Sequence, residues 1–180
     1  MSGIYIFYGQ YRNKSEELLR KAAGVYSGLE LSSTAILRTE RGKPYFSGLP
    51  LFFSISHTDG IWGCFISEAE AGFDVQIKRN VDHNRLAGRF FLNQEAEYVR
   101  RNGSDGFFEI WGRKEACVKY LGKGMFRDMR SFSTVQWGEL AERIDVKGGI
   151  CYINSFVLRE DVKCAYCGGF IDDEVKLWEL

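Results

Sequence analysis

The chain has 180 residues, 45% of them apolar and 15% aromatic, with 24 basic and 24 acidic side chains in exact balance. That length suits one large domain or two small fused lobes, and the apolar content excludes an intrinsically disordered chain. Balanced charge argues against a global field that would draw the molecule to nucleic acid or a membrane surface.

Residues 4–8, Ile-Tyr-Ile-Phe-Tyr, read as a strand from their β-branched and aromatic content. This run is also too short for a signal-peptide core or a membrane span, which points to a cytoplasmic protein. Leu18, Leu19, Ala22, Ala23 and Tyr26 recur at helical spacing over 14–27, and Gly28 supplies a stop. A short strand over 35–38 precedes the turn Arg41-Gly42-Lys43-Pro44. Strands over 51–55 and 61–67 flank the turn 57–60 as a hairpin, and another strand covers 72–77. Helices follow over 82–91, 93–101 and 104–121, with Asn93 and Ser104 as N-caps and Gly122 as the final stop. Strands return over 134–137, 151–158, 163–170 and 175–178. Helices that do not alternate with single strands favour an α+β fold over a doubly wound sheet. A division near residue 70, giving units 1–70 and 71–180, leaves each half one long helix and several strands.

The five cysteines are Cys64, Cys117, Cys151, Cys164 and Cys167, an odd number that fits reduced thiols. Cys164 and Cys167 form one Cys-x-x-Cys pair without a second pair or nearby histidine, so buried thiols on a strand are expected rather than zinc.

Four stretches carry candidate chemistry. In Trp111-Gly-Arg-Lys114-Glu115-Ala-Cys-Val-Lys119-Tyr-Leu-Gly122-Lys-Gly124, Glu115 and Lys119 share a helix face. Phe107, Phe108, Trp111, Cys117, Val118 and Leu121 supply an apolar side to that helix. A carboxylate between lysines suits a divalent metal beside a polyanion; a solvated helix with an intrahelical salt bridge reads equally well from these residues alone. Gly42-Lys43-Pro44 presents a lysine at a defined turn. In Phe53-Ser54-Ile55-Ser56-His57-Thr58-Asp59, strand alternation sends Ser54 and Ser56 to one face and Phe53, Ile55 and His57 to the other. Ser56 and His57 are therefore badly placed as nucleophile and base, leaving phosphate binding or a turn-capping histidine. In Gly72-Phe73-Asp74-Val75-Gln76, Asp74 and Gln76 project from one face and aim two oxygens at one cation.

Taken in order, these stretches with Arg89-Phe90-Phe91 and Glu95 resemble the 4′-phosphopantetheinyl transferases of the surfactin-synthetase-activating type, over residues 41–124. The resemblance implies an α+β fold of two similar lobes in pseudo-twofold arrangement. It implies magnesium-dependent transfer of the phosphopantetheine arm of coenzyme A to a serine of an apo acyl or peptidyl carrier protein, releasing 3′,5′-ADP. Asp74 and Glu115 would hold the Mg²⁺, Glu115 would also act as general base, and Lys119 would neutralise or protonate the leaving phosphate. Lys43, Ser56, His57, Lys114 and Lys119 match positions that hold coenzyme A phosphates. Arg89, Phe90 and Phe91 begin the region that docks the carrier, although paired aromatics also fill cores. Glu95 matches a motif position, yet its place in a first helical turn suits compensation of the helix dipole.

Two departures from the family pattern are visible. Gln76 stands where many members have glutamate, giving a third metal ligand without charge. Relatives of this type carry a basic N-terminal segment, for which only Arg12, Lys14 and Arg20 stand in here; Arg12 is the expected contact. These departures motivate a second reading, a catalytically weak coenzyme A or carrier-binding protein of the same fold. A metal-dependent phosphohydrolase uses the same carboxylates but usually adds histidine clusters, and this chain has only His57 and His83. A chain holding both lobes needs no partner to complete its cleft, which suits a monomer.

Overall fold

The computed structural model describes residues 2–40, 42–122, 129–146, 149–169 and 174–180. Its elements are β1 (Ser2–Tyr8), α1 (Ser15–Ser27), β2 (Ile36–Arg38), β3 (Pro44–Phe46), β4 (Phe52–Thr58), β5 (Ile61–Ser67), β6 (Ala71–Ile77), α2 (His83–Phe90) and α3 (Asn93–Tyr120). They continue with β7 (Val135–Gln136), β8 (Glu139–Leu140), β9 (Arg143–Val146), β10 (Gly149–Arg159), β11 (Val162–Gly168) and β12 (Val175–Glu179). The mixture is α+β, as the order of sequence patterns implies.

Two four-stranded sheets dominate, ordered β12-β1-β5-β4 and β6-β11-β10-β9. Strand alternation assigns each face its own partner. Tyr5, Trp62, Cys64 and Ile66 bury against Leu18, Leu19, Ala22 and Ala23 of α1. Ile4, Ile6, Ile61 and Phe65 on the opposite face meet Phe73, Val75, Cys164 and Tyr166 of the second sheet. The far face of that sheet, with Ala165, Cys167, Cys151 and Ile153, buries against Ala116, Cys117 and Val118 of α3. The layers therefore run helix, sheet, sheet, helix. The sheets also touch edge to edge, where the Phe73 backbone N–H donates to Ser54 Oγ at 2.9 Å.

The last strand has a partner that local sequence does not reveal. β12 returns to lie parallel to β1, pairing Ser2 with Val175 and Ile6 with Glu179. The expected strand over 134–137 is shorter than its composition suggests: β7 and β8 join through Trp137 and Gly138, both at positive φ (52° and 85°). That geometry belongs to a two-residue hairpin turn.

α1 ends as expected, with Gly28 at φ 71° and its N–H bonded to the Gly24 carbonyl. The two expected helices after residue 93 form one segment broken at Gly103, whose φ of 62° and ψ of −143° interrupt the helical path. The start of α3 differs from expectation. Leu92, not Asn93, takes the cap position, and the Glu95 carboxylate accepts the Leu92 N–H at 2.9 Å.

α3 crosses β6 at very short range because Gly72 has no side chain. A Cβ there would lie 1.9 Å from the Ala116 carbonyl oxygen and 2.6 Å from the Tyr120 nitrogen, both rigid backbone atoms. Gly72→Ala is expected to cost about 1–3 kcal/mol by forcing helix and strand apart. Chemical denaturation would measure it; an unchanged midpoint would mean the helix yields freely.

Candidate active site

The site grows from β6 and α3. Alternation along β6 turns Phe73 and Val75 into the inter-sheet core and leaves Gly72, Asp74 and Gln76 facing α3. Gly112 lies over this strand, where even a Cβ would sit in ordinary contact 3.9 Å from Asp74 Oδ2. One turn further, Glu115 and Lys119 come over the same strand.

Asp74 is 2% exposed and holds the centre of a polar network. Its Oδ1 accepts from Ser56 Oγ at 2.7 Å and Lys119 Nζ at 2.8 Å, and its Oδ2 accepts from Gln76 Nε2 at 2.7 Å. Lys119 Nζ also donates to the Phe73 carbonyl at 3.0 Å, while its side chain remains 28% exposed. Glu115 is buried, and burial pushes its carboxyl up to about 7, with the Asp74 charge adding to the rise and Lys119 opposing it. A carboxyl raised by burial and by a neighbouring carboxylate, beside an ammonium, forms a site prepared for a cation or a proton. The solvated-helix alternative fails here, because Lys119 pairs across to β6 and Glu115 faces the interior.

His57 and Arg12 lie nearby but not in this network. They line a cleft of about 410 Å³ with Gln76, Leu86, Val81 and Trp111. His57 is exposed, as alternation on β4 predicts, with Nδ1 3.3 Å from the Tyr11 hydroxyl and the rings 5.1 Å apart. Tyr11 belongs to no sequence motif, so only the fold reveals this contact. Lys43 occupies a different recess, also about 410 Å³, with Tyr120 and Gly122 at the end of α3. There it forms an ion pair with Glu70, a partner not anticipated.

Two expectations change. Lys114 does not offer its ammonium to a phosphate. Its side chain is 0% exposed and paired with the equally buried Glu95 at 2.9 Å, and its Nζ donates to the Met129 and Phe132 carbonyls. Helical rotation of about 100° per residue turns it away from the face that Glu115 occupies. Ser56 is buried and donates its one hydroxyl proton to Asp74, so it orients the carboxylate instead of binding a phosphate. Glu95 keeps its place in the first turn of α3, as its position implies, and besides Leu92 and Lys114 it binds the Thr134 N–H at 2.8 Å.

Phe91 fills the core beside Phe107, with rings 5.4 Å apart, whereas Phe90 stands half-buried edge-on to Trp111 and Arg89 is exposed. Gly124, the close of the long motif, lies outside the described residues.

A sequence profile of the 4′-phosphopantetheinyl transferase superfamily matches residues 70–167, the span holding β6, α3 and the second sheet. The chain belongs to that superfamily. It is 29% identical over 162 residues to a 4′-phosphopantetheinyl transferase of Bacillus subtilis, a match covering 86% of this chain and 72% of that protein. It is 32% identical over 127 residues to the transferase gsp of Aneurinibacillus migulanus, covering 68% and 53%. The transferase AcpT of Salmonella typhi is 38% identical over 104 residues, 53% of this chain and 54% of its own. Likeness to the Bacillus proteins assigns the surfactin-synthetase-activating type and the enzyme class of a holo-carrier-protein synthase. Among the described residues, no helix is long and apolar enough to cross a membrane.

Proposed function

We propose that this protein transfers the 4′-phosphopantetheine arm of coenzyme A to a serine of an apo acyl or peptidyl carrier protein, with Mg²⁺, releasing 3′,5′-ADP. The observation that carries the reading is the burial of two carboxylates, Asp74 on β6 and Glu115 on α3, with the Asp74 charge raising the Glu115 carboxyl.

The donor set fits magnesium: two carboxylates and an amide oxygen are hard oxygen ligands, and their mutual repulsion is relieved by a divalent cation. Asp74, Glu115 and Gln76 would hold the ion, and when bound it offsets charge that builds on the pyrophosphate as the ADP departs. The chain's own groups do the rest. Ser56 fixes the Asp74 rotamer through its 2.7 Å bond. Glu115 accepts the proton of the incoming serine hydroxyl as general base. Lys119, with its side chain partly open to solvent, neutralises the leaving phosphate or gives it a proton. His57 and Arg12 take coenzyme phosphates in their shared cleft, and Lys43 takes one by exchanging Glu70 for the ligand. Phe90, half-buried beside exposed Arg89, contributes to carrier docking. The units 1–70 and 71–180 serve as two lobes that flank the coenzyme, with β12 strapping the second back onto the first.

Intact-mass analysis after mixing the protein with coenzyme A, Mg²⁺ and apo carrier proteins tests this reading. Addition of one phosphopantetheine arm supports it. Measurable coenzyme A binding without a mass gain on fatty-acid, polyketide or nonribosomal-peptide carriers would establish the weak binder, the alternative that the uncharged Gln76 favours. Gln76→Glu is expected to lower the magnesium concentration for half-maximal rate, because it adds a charge to the donor set; an unaltered metal titration would place this side chain outside the coordination sphere.

A further inference from the structure

Three buried cysteines meet between α3 and the second sheet. Cys117 comes from α3, Cys151 from β10 and Cys167 from β11, and their Sγ atoms all lie within 4.8 Å of one another. Alternation separates the Cys-x-x-Cys pair: Cys164 faces the inter-sheet core, while Cys167 faces α3. Metal–thiolate bonds of about 2.3 Å set three trigonal sulfurs roughly 4 Å apart, so small side-chain shifts bring this triad to ligating geometry.

A second observation points the same way. Arg113, one helical turn before Cys117, is 3% exposed and carries its charge into the same layer. Its guanidinium donates to Ser155 Oγ at 2.7 Å and to the Ala141 carbonyl, both neutral, and its Nε has no hydrogen-bond partner. Glu109, the acid one turn earlier, is engaged by Lys163 at 2.7 Å. Among the described residues Arg113 has no carboxylate ion pair. A buried cation without a counter-charge is costly, and deprotonated thiols in the same layer would supply one.

We infer that Cys117, Cys151 and Cys167 form a three-sulfur site for a soft, thiophilic cation of the copper(I) type, with Arg113 balancing part of the thiolate charge. Soft thiolate donors select such ions, and a dry set of three suits a three-coordinate metal better than zinc, which fills four positions in closed sites. Each thiol that ligates gives up a proton to solvent, and the ion ties α3 to β10 and β11 without entering the Asp74 site.

The test is anaerobic titration of the reduced 180-residue chain with copper(I) against a competing chromophoric chelator, with coenzyme A absent because its own thiol would compete. One equivalent per chain is expected, retained in Cys64→Ala and Cys164→Ala and lost in Cys151→Ala. X-ray absorption of the copper-loaded wild-type protein should show three sulfur neighbours, a readout that needs no variant to fold. No stoichiometric uptake, full uptake in a folded Cys151→Ala, or nitrogen and oxygen neighbours at the copper would each overturn the site.

Discussion

Glu115→Gln is expected to reduce phosphopantetheine transfer by about 10²–10⁴-fold, the range over which a positioned general base contributes. Coenzyme A affinity measured without metal should change little, since the amide keeps the shape of the side chain. The same substitution should stabilise the fold at alkaline pH, and the sign follows from the raised carboxyl. Glu115 titrates near 7 in the folded chain against an ordinary 4.5. The folded state therefore prefers the proton, and the stability this confers is present below about 4.5 and lost as pH rises through about 7. Glutamine cannot ionise, so the variant lacks that loss. Its melting temperature should match wild type near pH 4 and exceed it by several degrees at pH 8, with metal withheld. Scanning calorimetry at both values checks this. Undiminished turnover would remove Glu115 from the chemistry, and a pH-independent difference in melting would mean that its carboxyl is not destabilised by burial and Asp74.

Much of this arrangement is written in short-range pattern. Alternation on β6 puts Asp74 and Gln76 on one face, and spacing of four on α3 puts Glu115 and Lys119 on another; the structure brings those faces together. Gly28 ends α1 and Gly103 breaks α3 because both need positive φ, which glycine tolerates. What pattern does not carry is pairing across long separations. The strand at 175–179 is recognisable by composition, but its parallel partner β1 lies at the other end of the chain. The thiol triad escapes for the same reason, since its members come from three elements while the visible Cys-x-x-Cys pair splits between faces. The place of Lys114 beside Glu115 in the motif suggests a coenzyme phosphate contact that the fold does not make. Adjacent helical residues point about 100° apart, so sequence neighbours on α3 serve different layers.

That separation leads to the largest expected loss of stability. Lys114 and Glu95 form an ion pair with both side chains 0% exposed, linking the second half of α3 to its first turn. Burial lowers the Lys114 ammonium from its ordinary value, and the Glu95 charge opposes that fall. Neither end is bare: Glu95 binds the Leu92 and Thr134 backbone N–H groups, and Lys114 binds the Phe132 carbonyl at 2.8 Å and lies 4.6 Å from the Phe132 ring. Lys114→Met leaves a buried carboxylate without its counter-ion and is expected to cost about 3–5 kcal/mol. Glu95→Gln combined with Lys114→Met should cost less than the two single changes summed, because the double variant buries no unpaired charge. Urea unfolding of all four proteins gives this coupling directly. If Lys114→Met instead unfolds at the wild-type midpoint and loses coenzyme A affinity, the ammonium reaches the ligand and the buried pair is not what holds it.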